Sequence, residues 1–538
     1  MQFSADTYRY ASRRNMVFAR RGMACSSAPL AAQIGRDVMA KGGSAIDAAI
    51  AMSAAMPVLE PTGNAIGSDG FALIWTKGKL YAINGSGKAP RALTAKAVTD
   101  AGYTAVPREG WLPTTVPGAM GMLAAVHERF GSVALEELFA PAIRYAREGF
   151  CLPVTTVAQL KKETERVNRF YEKDPVLYGP IRQLYTKEGE AYEPGEVFSN
   201  PLMADTLEKL AATRCKALYG GELAQKIVDW SDKTGGFFAL SDFEEYAPMW
   251  VEPITVNYKG YDVYELPPNG HGITALMALK LLEKLPLPAD RQSEETYHYM
   301  IECIKLAFAD TRTYVADPAH MQTRVEDLLS DRYADARRAL IGEKALYPEA
   351  GDPDCGGTVY FCTADGEGNM VSWIQSNYVQ LGSLVAIPGT GIALQDRGAN
   401  FSLDPASDNY LEGGKRSYHT IIPGFLAKDG QPIGPFGVMG GFMQPQGHLQ
   451  VVVNTVDYGM NPQEALDCPR FQWVGEKKVQ LEREVPAEVG RALAARGHEV
   501  EIVNTNISMG RGQIIWRRAD GVLCAGTEPR TDGTIASL

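Results

Sequence analysis

In the segment Asp354-Cys355-Gly356-Gly357-Thr358-Val359-Tyr360, two glycines stand directly before a threonine that opens an apolar run. Gly-Gly permits backbone dihedrals that residues with side chains avoid. The Gly357–Thr358 peptide bond can therefore be held in the geometry that attack by the following hydroxyl requires. Cutting that bond would give Thr358 both a hydroxyl nucleophile and a free α-amine base in one residue. The unperturbed pKa of such an amine, near ~8, leaves a useful neutral fraction at pH 7. Alone, Gly-Gly-Thr before a strand also fits an ordinary loop.

Other chemical devices are missing from the sequence. It holds no G-x-x-x-x-G-K-[ST] phosphate loop, no G-x-S-x-G elbow and no H-E-x-x-H zinc helix. There are 7 histidines, among them His271, His298, His419 and His448, and no local pattern sets one beside a serine. His298 and Glu302 lie one helical turn apart, a metal-ligand spacing, but no second His or carboxylate pair completes it, and a hydrogen-bonded helix face is the plainer reading. The 8 cysteines form no CxxC pair or zinc-like cluster. No metal and no cofactor is expected.

A net charge of −11 and the absence of any Lys/Arg-rich run exclude a phosphate-backbone partner. No window approaches the ~20 consecutive apolar residues that span a bilayer. The first residues carry no apolar stretch of signal-peptide type. With the unpatterned cysteines, these features lead to the expectation of a cytoplasmic protein without nucleic-acid or membrane partners.

The elements that must position Thr358 read as a mixture of helix and sheet. Pro29–Lys41 and Ser44–Met56 are Ala-rich helical stretches broken at Gly42-Gly43. Phe71–Lys77 and Lys79–Asn84 read as a β pair, and Gly131–Gly149 as a helix. Roughly 155 to 350 reads as mostly helical, with Tyr297, Ile301, Ile304, Ala307 and Phe308 on one stripe of a helix over Glu294–Tyr314. Thr358–Ala364 and Asn369–Asn377 form a hairpin through Asp365-Gly366-Glu367-Gly368. Gln450–Val456 reads as a strand. Strands at Val479–Glu482, Glu499–Val503, Gln513–Arg517 and Gly521–Ala525 and a helix at Ala487–Arg496 follow. Helices and hairpins mixed in this way predict sheets with helices packed outside.

The resemblance of the whole chain gives Gly357-Thr358 its meaning. Gly357-Thr358-Val359-Tyr360, Asp365-Gly366-Glu367-Gly368-Asn369 and Gln375-Ser376-Asn377-Tyr378 resemble the start of the small subunit of γ-glutamyltransferases. Gly413-Gly414-Lys415-Arg416, Gly440-Gly441, Val456-Asp457-Tyr458-Gly459, Pro469-Arg470-Phe471 and Ala525-Gly526-Thr527-Glu528-Pro529-Arg530 continue the likeness. Upstream, Gly42-Gly43-Ser44-Ala45-Ile46-Asp47-Ala48-Ala49, Pro117-Gly118, Tyr258-Lys259-Gly260-Tyr261 and Pro267-Pro268 resemble the large subunit. These matches run in family order from about residue 42 to 530.

The resemblance implies a four-layer αββα sandwich of the N-terminal-nucleophile hydrolase superfamily (α+β class). It implies one chain cut between Gly357 and Thr358 into a large subunit, 1–357, and a small one, 358–538, that stay together as one structural domain. A heterodimer is thus the minimum unit, with higher oligomers left open. Ser376 falls where the family keeps a hydroxyl bonded to the nucleophile, and Gly440-Gly441 match its oxyanion-hole pair. Departures are equally informative. Ser86 stands at the family's substrate-carboxylate arginine, with Lys88 close by. Asn400 replaces the acid that pairs with the substrate's α-amine, and Arg397 replaces that acid's amide neighbour. His419 and Thr420 replace paired serines, and Tyr378 replaces an asparagine, with Asn377 one place off.

Losing an acid and gaining Arg397 suits a carboxylated acyl group and makes glutathione a doubtful substrate. The expected activity is release of an amine or ammonia from a small carboxylate-bearing amide, the branch that includes glutathione hydrolases, oxamate amidohydrolases and cephalosporin acylases. Three alternatives stay open on the sequence: Arg397 paired with Asp396 or Asp404, a non-catalytic scaffold, and a cysteine enzyme using Cys355 or Cys362.

Overall fold

The computed structural model describes residues 14–348, 357–504 and 507–538; for Gly357, Thr358 and Ile507 it describes the backbone alone. Cys355 lies outside the described residues. Two seven-stranded antiparallel sheets organise the α+β architecture. Their strands, in chain order, are β1 (Val17–Ala19), β2 (Gly22–Ser26), β3 (Asp69–Thr76), β4 (Lys79–Asn84), β5 (Met249–Val251), β6 (Ile254–Tyr258) and β7 (Tyr261–Glu265). Then come β8 (Gly357–Asp365), β9 (Met370–Tyr378), β10 (Gly424–Lys428), β11 (Gln431–Met439), β12 (Arg511–Arg517), β13 (Leu523–Thr527) and β14 (Thr534–Ser537). One sheet runs β14-β2-β8-β9-β3-β4-β5 and the other β1-β13-β12-β11-β10-β7-β6.

Short hairpins fix the registers of the first sheet. Lys77 and Gly78, both at positive φ (50° and 74°), close the β3–β4 turn, as two-residue hairpin turns require. In the β8–β9 turn, Asp365 Oδ1 accepts from the backbone N–H groups of Glu367 and Asn369, each at 3.0 Å. The strand beginning at Gly357 is thereby held between β2 and β9, with Phe361 opposite Ser26 and Trp373. Gly357 itself lies opposite Tyr378, and the register shifts between Gly357 and Val359. Across the next pairing, Ser376 lies opposite Asp69.

The sheets face one another. A Cβ on Gly437 would come within 2.4 Å of the Tyr360 ring, and Trp75 stacks on Phe425 with centroids 6.0 Å apart. Helices cover the outer faces. α1 (Pro29–Ala40) and α2 (Ala45–Leu59) lie on the first sheet, with α2 started by a reciprocal Ser44–Asp47 capping box and tied to β9 by Ser53 Oγ donating to Gln375 Oε1 at 2.7 Å. α3 (Gly272–Leu282) and α5 (Met443–Val456) cover the second sheet, and α4 (Glu294–Tyr314) packs on α3. The five stripe residues of α4 are all buried.

One expectation needs correction. Gln450–Val456 is the second half of helix α5. Its apolar run, Val451–Val453, is fully buried and too short to carry a period that separates helix from strand. The stretch expected to be mostly helical also holds β5, β6 and β7, which edge both sheets; Lys259 (φ 50°) and Gly260 (φ 88°) form the turn of the β6–β7 hairpin. Among the described residues no helix is long and apolar enough to cross a membrane.

Candidate active site

The end of β9 carries the first part of the site. Ser376 is fully buried, and its Oγ accepts from the Tyr378 backbone N–H at 2.8 Å. Asn377 commits its side chain to the fold: Oδ1 accepts from Ser68 Oγ at 2.7 Å and Nδ2 donates to the Gln380 carbonyl at 3.0 Å. Tyr378, opposite Gly357, sits at φ 84°. For an aromatic residue that is strained backbone, held by its surroundings beside the expected cleavage point.

Arg397 is fully buried in a short 3-10 turn, and its guanidinium lies 5.0 Å from the Tyr378 ring centre. Nη1 donates to Thr420 Oγ1 at 2.6 Å, while Nε and Nη2 have no partner among the described residues. Neither Asp396 nor Asp404 forms an ion pair with it. Asp396 Oδ1 accepts from Val379 N at 3.0 Å and its Oδ2 has no partner among the described residues; Asp404 lies on an exposed turn. Burial lowers Arg397 to about 10, against the pull of Asp69, Tyr378 and Asp396. Burial likewise pushes the Asp396 carboxyl up to about 7. A buried cation with two unmet donors is costly unless something else supplies acceptors.

His419, next in sequence to Thr420, pairs with Asp69. Nε2 of His419 is 3.1 Å from Asp69 Oδ2, both side chains are 1% exposed, and Nδ1 of His419 has no partner among the described residues. Burial, then the Arg397 charge, lowers His419 well below the usual histidine range. Burial pushes Asp69 up to about 7, with Arg397 the leading opposing charge. His271, edge-on to Tyr418 and Phe442, is likewise kept neutral by burial and by Arg397. Asn400 is half-buried, with Nδ2 3.5 Å from the Arg397 carbonyl.

Gly440 (φ 134°) and Gly441 (φ 59°) follow β11 and lead into α5. Gly440 packs against Gly510, whose Cα would lie 3.2 Å from an added Cβ. The dihedrals and the close approach both demand glycine, and the pair sits at the N-terminal end of a 14-residue helix, where backbone N–H groups favour negative charge. The family position of the carboxylate arginine is closed: Ser86 is buried and donates to Asn84 Oδ1 at 2.7 Å. Lys88 is exposed and lines a separate cavity of about 200 Å³ with Arg91, Tyr246 and Arg416.

Two other sequence readings meet the structure here. Cys362 is buried opposite Cys25 in the β2–β8 pairing, and burial holds the Cys25 thiol well above its usual range, which suits neither for nucleophilic work. The His298–Glu302 pair is completed in space by His498, contrary to the reading that nothing completes it. Its atoms bond one another instead: His298 Nδ1 to His498 Nε2 at 2.9 Å, His298 Nε2 to the Gly342 carbonyl at 2.8 Å, and Lys305 Nζ to Glu302, the Leu346 carbonyl and His498 Nδ1. Asp69 and His271 were not singled out in the sequence. Buried by tertiary packing, they sit in segments with no motif of their own.

A strand-opening threonine after Gly-Gly, facing sheets and a glycine pair at a helix start are the parts of an N-terminal-nucleophile hydrolase. The gamma-glutamyltranspeptidase family profile matches residues 31–538, and the chain belongs to that family, as an autoprocessed proenzyme hydrolase. It is 35% identical over 534 residues to the glutathione hydrolase-like YwrD proenzyme of Bacillus subtilis, covering 97% of this chain and 99% of that one. It is 31% identical to the oxamate amidohydrolase proenzyme of Klebsiella pneumoniae, covering 96% and 98%. The solved structure of a cephalosporin acylase from Bacillus halodurans superposes with a TM-score of 0.96 at 51% identity, covering 100% and 99%.

Proposed function

We propose that this protein is an N-terminal-threonine amidohydrolase whose acyl substrates carry a carboxylate that binds Arg397. In this reading the two facing sheets and their helices are the four-layer αββα sandwich, built jointly by segments 1–357 and 358–538. Maturation begins when Thr358 Oγ attacks the Gly357 carbonyl carbon and shifts the acyl group from nitrogen to oxygen. Water then hydrolyses the ester, leaving a Gly357 carboxylate and a Thr358 α-amine. In turnover the same oxygen attacks the substrate amide while the α-amine takes its proton.

Gly440 and Gly441 offer backbone N–H groups to the tetrahedral oxyanion, a contribution of ~3 kcal/mol per donor. The C–N bond breaks, the leaving amine takes the proton, and water releases the acyl group as a carboxylic acid. Ser376 steadies the nucleophile by a hydroxyl hydrogen bond. Thr420 and Tyr378 hold the Arg397 guanidinium, His419 lines the acyl pocket, and Asn400 and Asn377 brace the pocket's backbone.

The observation that carries the substrate assignment is Arg397 itself, fully buried with Nε and Nη2 unpartnered among the described residues. A carboxylate supplies two acceptors in the geometry of that free edge. The family's own groups for a zwitterion are gone at Ser86 and Asn400, so glutathione fits less well. The similarity to an oxamate amidohydrolase and a cephalosporin acylase supports hydrolysis of carboxylated amides over transfer to an acceptor amine. Apportioning 58.5 kDa over 357 and 181 residues gives mature fragments of about 39 and about 20 kDa. N-terminal sequencing of the smaller should read Thr-Val-Tyr-Phe, and Thr358→Ala should stay one band without activity. Full activity in that variant would overturn the reading.

A further inference from the structure

We propose that Asp69 is a positioning residue: it fixes the tautomer of His419 so that a bare imidazole nitrogen stands beside the free edge of Arg397, selecting acyl groups with a neutral hydroxyl or N–H donor next to their carboxylate. The proposal rests on the reading of Arg397 as the carboxylate's partner.

Asp69 opens β3 directly across from Ser376. Its Oδ1 accepts from the Gly87 backbone N–H at 3.3 Å, and its Oδ2 lies 3.1 Å from His419 Nε2. Arg397 and Arg416 add positive charge around it. Burial raises Asp69 to about 7 against these charges, so at pH 8 it is the carboxylate, which accepts from Nε2 and places the imidazole proton there. Nδ1 is then an acceptor only, and it is buried with no partner among the described residues.

The ring is fixed in place. Phe71 packs on it with centroids 4.7 Å apart, His419 N donates to the Asn269 carbonyl, and its carbonyl accepts from His271 N, both at 2.9 Å. Thr420, the residue after His419, accepts from Arg397 Nη1 at 2.6 Å, and Arg397 is the leading charge acting on His419 and on Asp69 alike.

A carboxylate alone would satisfy the guanidinium and leave the Nδ1 lone pair facing nothing, a buried acceptor without its bond. An ammonium next to the carboxylate would bring like charge to Arg397. A hydroxyl or amide N–H on the adjacent carbon supplies the missing donor with no charge. A 2-hydroxy acid joined through its far carboxyl to the scissile amide meets both requirements.

The test compares kcat/KM at pH 8 for 2-hydroxyglutaryl-p-nitroanilide, with the hydroxyl beside the free carboxylate, and glutaryl-p-nitroanilide. The wild-type enzyme should prefer the hydroxylated substrate by about 10-fold. His419→Ala should bring that ratio to within about 2-fold, and Asp69→Asn, whose amide donates to Nε2 and forces the proton onto Nδ1, should do the same for 2-acetamidoglutaryl-p-nitroanilide, whose N–H can only donate to the ring. A residue that merely supports the fold would lower both substrates by one factor and leave the ratio as it was; that result, or a wild-type ratio near one, overturns the proposal. His419→Ala keeps the test decisive should Asp69→Asn fail to fold. The carboxamide counterpart of glutaryl-p-nitroanilide separates the two levels: if it is cut as well as the carboxylate, the Arg397 reading is what has failed, and the selectivity proposal falls with it.

Discussion

Glu302, Lys305, His298 and His498 form one buried polar cluster, and Arg397, Asp69, His419 and Asp396 form another; they differ in how completely their atoms are partnered. In the first, the Lys305 ammonium places its three protons on Glu302, the Leu346 carbonyl and His498, and the other Glu302 oxygen accepts from Leu346 N at 3.0 Å. In the second, Arg397 Nε and Nη2, His419 Nδ1 and Asp396 Oδ2 have no partner among the described residues. Native folds rarely leave buried polar atoms unmet, and those they do leave tend to mark ligand sites. The closed cluster ties α4, the 342–346 segment and the turn before Glu499 together. The open one is where the proposed function places the substrate's carboxylate.

In the proposed function the closed cluster is a stability element and the open one a recognition element. Lys305→Met strands a buried glutamate and should cost about 3–5 kcal/mol in urea denaturation, while the enzyme that remains folded keeps its preference for carboxylated over neutral amides. A shift in that preference would erase the distinction.

A smaller effect concerns pH. Burial lowers His498 to about 3, against ~6.5 in an unfolded chain. As pH falls below ~6.5 the unfolded chain takes up a proton that the folded protein refuses, so stability drops progressively toward pH 3. His498→Gln keeps a donor and an acceptor without titrating. Its Tm should fall less than the wild type's between pH 7 and pH 5, and parallel curves would show that His498 is not held neutral.

The same contrast explains what the sequence could reveal. The β8–β9 hairpin was legible because Asp365, Gly366 and Gly368 write their turn locally. α4 was legible because five apolar residues keep a helical period. Gln450–Val456 was misread because its buried apolar run is too short to carry a period. His498 could not be joined to His298 and Glu302 because their meeting is made by packing between distant segments, and Asp69 carries no sign of burial in its own neighbourhood. The proposed site drew its candidates mainly from the family pattern: Gly357-Thr358 alone also fits a loop, Gly440-Gly441 match a family pair, and Arg397 stands out by departing from one.

The most direct test of the open cluster is the ratio of kcat/KM for glutaryl-p-nitroanilide to that for its carboxamide counterpart, measured in the wild type and in Arg397→Ala. The free guanidinium edge predicts that the variant loses about 100-fold on the carboxylate and little on the carboxamide, a loss in the range expected when a buried charged partner is removed. Equal losses on both substrates, or none on either, would contradict the assignment of Arg397 to the substrate's carboxylate.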